Sequence, residues 1–390
     1  MGKWNRKDLD RFEKRGRFRK PGKKKTHAAD LSEELEKPED QWNGLGFEGG
    51  FAARVVEVHK KYAFVSSEPK VGEVNTRDVW LATIARKFLV ADRAERNFVA
   101  VGDRVFCIPT ASGEVQASDE IPSCVIQHVS PRVSKVARLD PHTPTREHVI
   151  AANVDNLLIV ASFLKPKIKW GLVDRYLVVA SLQGVKPIIV LTKPDLLDAE
   201  GKDEEIVESE EMVKIYRDQL GYDVLIIQAN AADPSEQEDF KKLDKLLEGK
   251  VTLLSGHSGV GKSSIVNQFD PEITQVVEPD EDIFYKGRHT TSFSSFIKLK
   301  NSGYVIDSPG VRSFAMADPE PTDLANSFVE FQKYLGNCKF RMCRHIDEPE
   351  CAIREAVKSQ EISKWRYKSY LAILLGASGR EGRLRDIPPL

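Results

Sequence analysis

Cysteine is scarce in this chain, five in 390 residues, too few for a small scaffold held together by disulfides. No apolar run approaches the roughly 18 residues that a membrane-crossing helix needs. The N-terminus reads Met-Gly-Lys-Trp-Asn-Arg and carries no apolar signal segment. A cytoplasmic protein with no membrane partner is therefore expected. There is also no excess of one charge. Lys and Arg number 58 against 59 Asp and Glu, a net charge of −1, which excludes a uniformly cationic coat for polyanions. No internal repeat is visible, which excludes a solenoid. What remains is an ordinary globular composition, 41% hydrophobic and 30% charged. Its length suits two or three domains better than one core.

The charge is nevertheless unevenly spread. Lys3, Arg6, Lys7, Arg11, Lys14, Arg15, Arg17, Arg19, Lys20 and Lys23–Lys25 crowd the first residues. Residues 1–46 lack hydrophobic periodicity and read as a disordered basic arm suited to a polyanion such as RNA. Short strands follow, among them Phe51–Val58, Tyr62–Val65, Val79–Thr83, Val105–Pro109 and Ser123–Val129, with Gly, Pro, Asn and Asp at the turns between them. They suggest a small barrel, of which the oligonucleotide-binding (OB) barrel is one form. From about residue 150 the rhythm changes to strands alternating with helices. Runs at 154–161, 185–192, 224–227 and 251–255 predict strands, and helical spacing covers 170–183, 204–220 and 236–247. That alternation implies a mainly parallel sheet with helices on both faces. A further strand pair is expected at 293–299 and 304–307, turned at Asn301-Ser302-Gly303.

Gly256, His257, Ser258, Gly259, Val260, Gly261, Lys262 and Ser263 fit G-x-x-x-x-G-K-[ST] in full, after a predicted strand and before a predicted helix. Ser264 continues the motif. The glycines let backbone N–H groups face phosphate oxygens, and the helix adds its positive end. Lys262 is expected to reach the β- and γ-phosphates, and Ser263 to ligate Mg²⁺. Two further segments select the base and the metal. Asp307-Ser308-Pro309-Gly310 matches D-x-x-G, with Asp307 reaching Mg²⁺ through water and Gly310 meeting the γ-phosphate. Thr192-Lys193-Pro194-Asp195 resembles N-K-x-D. The Asp195 carboxylate matches the N1–H and N2 amino donors of guanine. Adenine lacks that pair of donors, which would leave a buried charge unpaired. GTP and GDP are thus the expected ligands. The order of motifs is permuted, base reading first and phosphate loop second, and the same pocket forms if the domain is circularly permuted.

Between the phosphate loop and Asp307 lies Lys286-Gly287-Arg288-His289-Thr290-Thr291, where a first switch loop belongs. Thr290 or Thr291 completes the Mg²⁺ shell; the sequence does not choose between them. Val311 stands where many GTPases carry a Gln that orients water, so His289 is the candidate catalytic group. Slow intrinsic turnover, raised by a partner that orders 286–291, follows. Finally, Cys338, Cys343, His345 and Cys351 offer three thiolates and an imidazole at short spacing, which suits one structural, four-coordinate Zn²⁺.

Taken together, Gly256–Ser264, Lys286–Thr291, Asp307–Arg312 and the Cys/His cluster, in this order, resemble the RsgA (YjeQ) family, the circularly permuted GTPases of small ribosomal subunit biogenesis. The resemblance spans roughly residues 50 to 375. It implies an OB barrel, a permuted P-loop GTPase domain and a C-terminal α-helical zinc-binding domain. It also implies binding to the small ribosomal subunit and its rRNA, with hydrolysis stimulated by that subunit. This sequence departs from the family pattern at Thr192, where Asn is common, and at Gln228-Ala229, where Ser-Ala is common. Its basic arm is also longer. The expected domains are 1–46 (arm), 47–148 (barrel), 149–334 (GTPase) and 335–390 (zinc domain), in a monomer. The alternative is an RNA-binding scaffold whose nucleotide site regulates binding with negligible turnover; an unrelated P-loop ATPase is the third reading.

Overall fold

Along β1 (Phe51–Val58), Ala53 and Val55 are buried while their neighbours are partly exposed, the alternation of a strand with one face on a core. β2 (Ala63–Ser67), β3 (Val79–Ile84), β4 (Arg104–Pro109) and β5 (Ser123–Val129) add Ala63, Val65, Ala82, Val105 and Ile126 to the same core, and in β4 Val105, Phe106 and Cys107 are buried in succession. These five strands close into a barrel in the order β1-β2-β3-β5-β4, with a parallel β3–β5 pair, the arrangement of an OB barrel. Cys107 and Cys124 lie buried inside it as free thiols. The computed structural model describes residues 49–59, 62–67, 79–84, 97–110, 122–139, 147–231, 233–269, 295–307 and 319–376. The basic arm, the 286–291 segment and Gly310 lie outside them.

A small antiparallel pair, β6 (Lys135–Leu139) and β7 (Glu147–Ala152), follows the barrel. It was not expected from the sequence, because it straddles the point near 150 where the hydrophobic rhythm changes.

The second sheet has six strands in the order β10-β9-β8-β11-β13-β12. They are β8 (Asn156–Ser162), β9 (Lys186–Thr192), β10 (Asp223–Ile227), β11 (Val251–Ser255), β12 (Ser295–Lys298) and β13 (Tyr304–Asp307). Every pairing is parallel except β12–β13. Both faces are covered, so the strands read as unbroken apolar runs. Leu157 and Ile159 of β8 join one core with Trp170, Val173, Tyr176 and Leu177 of α1 (Trp170–Gln183). Leu158 and Val160 join the opposite core with Phe240 and Leu243 of α4 (Glu238–Leu247) and Ile265 and Val266 of α5 (Lys262–Phe269). Two shorter connections complete this unit, α2 (Pro194–Glu200) and α3 (Asp203–Lys214).

The single helix expected over 204–220 divides. α3 ends at Lys214, and Ile215–Gln219 winds as a π-helix. The wider turn belongs to a packing demand: Tyr216 is buried, stacks on Trp170 (5.2 Å between ring centroids) and donates a 2.5 Å hydrogen bond to Asp174. At the sheet edge, the amides of Ile226 and Gln228 donate to Asp239 Oδ2 and Gln237 Oε1, both at 2.8 Å.

The C-terminal region is helical, with α6 (Pro321–Asn326), α7 (Ala352–Lys358) and α8 (Lys364–Leu374) around Phe328, Phe331, Ile353 and Tyr370. It meets the sheet domain at Val178 of α1 and at a buried ionic cluster. Arg366 of α8 is 1% exposed, pairs with Asp174 of α1 and donates from Nε to Glu330 at 2.6 Å, while its guanidinium lies 4.5 Å above the Phe328 ring. Burial alone would lower the Arg366 pKa, but the facing carboxylates of Asp174 and Glu330 raise it further, so the group stays charged.

Candidate nucleotide site and metal centre

β11 is buried along its whole length and delivers the chain to Gly256. Gly256 has φ +139°, and a Cβ there would lie 2.2 Å from the carbonyl oxygen of Val160, so only glycine fits. His257, Ser258 and Gly259 then turn outward, and Val260 returns to the core at 3% exposure. Gly261 has φ +96°, and α5 starts at Lys262. The loop is thus pinned at both ends and open in the middle, with its amides before a helix start. Lys262 is folded back over it. Its Nζ donates to the carbonyls of Gly256 (3.0 Å) and His257 (2.8 Å). Ser263 and Ser264 are exposed on the first turn of α5.

The Thr192–Asp195 segment lies against this loop. Thr192 ends β9, is fully buried and donates from its hydroxyl to the carbonyl of Val260 at 2.6 Å. Lys193 takes a left-handed φ of 57°, and its Nζ donates to the carbonyl of Gly259 at 2.7 Å and to that of Lys165. Pro194 opens α2, a first-turn position that needs no N–H, and puts Asp195 in the same turn. Asp195 Oδ1 is buried and accepts no hydrogen bond in the structure. A shielded carboxylate oxygen without a donor is the complement of a ligand that brings one. Ala229 closes the third side: a Cβ at Gly261 would sit 3.7 Å from Thr192 Oγ1 and 3.9 Å from Ala229 Cβ. Gln228 is held by its neighbours, its carbonyl accepting from Gln237 Nε2 (3.2 Å) and Gln268 Nε2 (3.1 Å). Asp307 ends β13 in register with Leu254 of β11, one strand from the phosphate loop.

The fold therefore brings together Thr192–Asp195, Gly256–Ser264 and Asp307. His289, Thr290, Thr291 and Gly310 lie outside the described residues. Two contributors had no signal in the motifs. Lys165 and Pro166, after β8, lie beside Gly259 and Lys193. Tyr176 of α1 is buried, and that burial raises the pKa of its phenol. In the sequence it is marked only by the helical spacing over 170–183.

The second site is built on two loops and the start of α7. The ligand atoms of Cys338, Cys343, His345 and Cys351 all lie within 4.8 Å of one another. Nδ1 of His345 is 3.6 Å from Cys338 Sγ and 3.4 Å from Cys351 Sγ, and those two sulfurs are 3.9 Å apart. Tetrahedral zinc, with Zn–S near 2.3 Å and Zn–N near 2.0–2.1 Å, requires edges of about 3.5–3.8 Å. The set fits one zinc, and its three cysteines are free of disulfides. Burial lowers the His345 pKa against the opposing pull of Glu348, which keeps the imidazole neutral and ready to ligate. The turn is fixed from outside. Glu348 accepts the amides of Arg344 and Ile346, each at 2.8 Å, and Tyr367 donates to the His345 carbonyl at 2.6 Å.

Comparison with known proteins agrees with this geometry. The family model for the RsgA GTPase matches residues 129–317. The chain is 39% identical over 248 residues to the small ribosomal subunit biogenesis GTPase RsgA of Haemophilus influenzae (strain 86-028NP), covering 64% of this chain and 68% of that protein. It is 37% identical over 284 residues to the RsgA of Photorhabdus laumondii, covering 72% and 76%. Among solved structures it resembles YjeQ from Thermotoga maritima, with a TM-score of 0.60 and 28% identity over 85% of this chain and the whole of that one. It shares its fold with YloQ, a circularly permuted GTPase, at a TM-score of 0.59 and 23% identity over 88% and 98%.

Proposed function

This chain belongs to the RsgA family of circularly permuted GTPases, and from that premise we propose how its own residues bind GTP and time its work on the small ribosomal subunit. The enzyme hydrolyses GTP to GDP and phosphate and acts in maturation of that subunit. The observation that carries the site reading is the junction of Thr192 with Val260 and of Lys193 with Gly259. The buried Asp195 carboxylate oxygen without a donor, two residues beyond Lys193, supports the same reading.

In this reading Asp195 accepts the N1–H and N2 amino group of guanine, while the Lys193 stem packs along the base. Loop amides from Gly256 to Ser263 receive the phosphates. Lys262 exchanges its two loop carbonyls for β- and γ-phosphate oxygens. Ser263, Asp307 and a threonine at 290 or 291 would hold Mg²⁺, which neutralises charge developing between the β- and γ-phosphates. His289 orients the attacking water, and Gly310 meets the γ-phosphate. The zinc held by Cys338, Cys343, His345 and Cys351 is structural, since four protein ligands fill its coordination.

The domains act as an arm (1–46), an RNA-binding barrel (47–148), the GTPase domain (149–334) and the zinc domain (335–390). The protein is a cytoplasmic monomer that docks on the subunit and its rRNA with GTP bound and leaves after hydrolysis. Sedimentation with purified small and large subunits, in GDP and in a non-hydrolysable GTP analogue, tests this when phosphate release is recorded in parallel. Co-sedimentation with the small subunit in the analogue and faster phosphate release are expected. Equal binding to both subunits, or turnover indifferent to them, would overturn it.

A further inference from the structure

Strand β1 of the barrel packs against β12 of the GTPase sheet, and Arg54 lies on that seam. Ala53 and Val55 of β1 point into the barrel, so Arg54 between them points out. Its guanidinium carbon lies 5.5 Å from the centroid of the Phe296 ring and 5.7 Å from that of Tyr304. Those rings are 4.9 Å apart and tilted by 31°. Phe296 belongs to β12 and Tyr304 to β13. In the register Phe296 faces Ile306 and Lys298 faces Tyr304, so the two rings are diagonal neighbours on one face of the hairpin. One cation therefore spans both strands, held by the negative faces of two rings. Val58, farther along β1, packs against the same core as Phe296 and Tyr304, so the contact sits on a wider seam.

The open end of that hairpin, where Ser295 pairs with Asp307, adjoins both proposed nucleotide-sensing motifs in the chain. β12 begins at Ser295, shortly after Thr290 and Thr291 in the chain, and β13 ends at Asp307. A rotation of the hairpin about its strand axis displaces the entry to one motif and the exit to the other together. Arg54 grips the hairpin from the element that also forms the barrel wall. Resting on the GTPase reading above, we propose that Arg54 is a positioning residue, which passes the docking of RNA on the barrel to the β12–β13 hairpin and so sets the stimulated rate of GTP hydrolysis.

The test uses the full-length, zinc-loaded chain with purified small ribosomal subunits. Single-turnover hydrolysis is measured with and without subunits, and binding is measured by sedimentation. Arg54→Ala is expected to cut the stimulated rate by roughly 5- to 150-fold, the range spanned by coupling between distinct sites. Intrinsic turnover and co-sedimentation should stay as in the wild type. Arg54→Lys, which keeps a cation over the rings, should recover most of the stimulation. Phe296→Leu, which keeps apolar bulk without a ring face, should reproduce the loss. The double variant should be no worse than either single one. Undiminished stimulation in Arg54→Ala, or an equal fall in intrinsic turnover or in subunit binding, overturns the proposal. If Arg54→Ala fails to fold, Phe296→Leu and Arg54→Lys decide alone. Retained stimulation in Phe296→Leu, or its loss in Arg54→Lys, counts against the coupling. A wild-type protein that subunits do not stimulate would instead defeat the functional reading itself.

Discussion

The hydroxyl of Thr192 donates to the carbonyl of Val260, so the Thr192–Asp195 segment is bonded to the Gly256–Ser263 loop. The two segments lie far apart in sequence, yet this bond joins them directly. Thr192→Val removes the donor at constant shape and leaves a buried carbonyl unsatisfied, a loss of about 1–3 kcal/mol. Titration with a fluorescent guanine nucleotide is expected to show affinity lower by roughly 5- to 150-fold. Unchanged affinity would mean that the bond is incidental.

Asp195→Asn reverses half of the base match. The new amide group faces the guanine amino group, donor against donor, whereas xanthine presents a carbonyl there. Competition binding is expected to show GTP weakened by roughly tenfold or more and xanthosine triphosphate strengthened. A variant that still prefers guanine would place base recognition elsewhere.

The zinc centre gives a metal count and a pH dependence. Elemental analysis should find one zinc per chain, and Cys351→Ser should lower both zinc content and thermal stability. Because burial depresses the His345 pKa, the unfolded chain binds this proton more tightly than the folded one. The stabilisation is therefore complete above the unfolded value, about 6.5, and is lost as pH falls below it. Zinc release into a chromogenic chelator should accordingly rise as pH drops from 7 to 5.

Arg366→Met tests the ionic cluster between α1 and α8. It keeps some apolar volume but leaves the buried carboxylates of Asp174 and Glu330 without their cation. Removing one partner of a buried pair costs about 3–5 kcal/mol. A lower melting temperature is expected, together with easier proteolysis between the GTPase and zinc domains. A variant as stable as the parent would show that the cluster is neutral.

His289→Ala is expected to abolish most of the subunit-stimulated single-turnover rate while nucleotide affinity holds. A stimulated rate equal to the wild type would remove His289 from the chemistry.

Much of this architecture was legible in the residues. The alternating strands of the barrel, the unbroken apolar runs of β8, β9 and β11, and the glycine-lysine loop all carry local patterns that the fold obeys. The Cys338–Cys351 spacing led to a ligand cluster of the right size because short loops leave little choice. What the sequence hid depends on contacts distant in the chain. The π-helix at Ile215–Gln219 serves the Tyr216–Asp174 bond, which joins residues 42 positions apart. Thr192 reads as a weak substitute for Asn until its buried bond is seen. The barrel order, with a parallel β3–β5 pair, and the seat of Arg54 on two aromatic rings are likewise relations between strands, to which hydrophobic rhythm is blind.

Strand β10 ends the six-stranded sheet, and there the backbone donors of Ile226 and Gln228 are already taken by Asp239 and Gln237. Asp223, at the head of the strand, holds Lys186 at 3.0 Å and Lys242 at 3.5 Å. A second copy laid along this border would have to break native bonds and displace charges before gaining any ladder of its own. Gln237, which steadies Gln228, thus joins Asp239 and Asp223 in guarding this rim of the sheet against edge-to-edge growth from one molecule to the next.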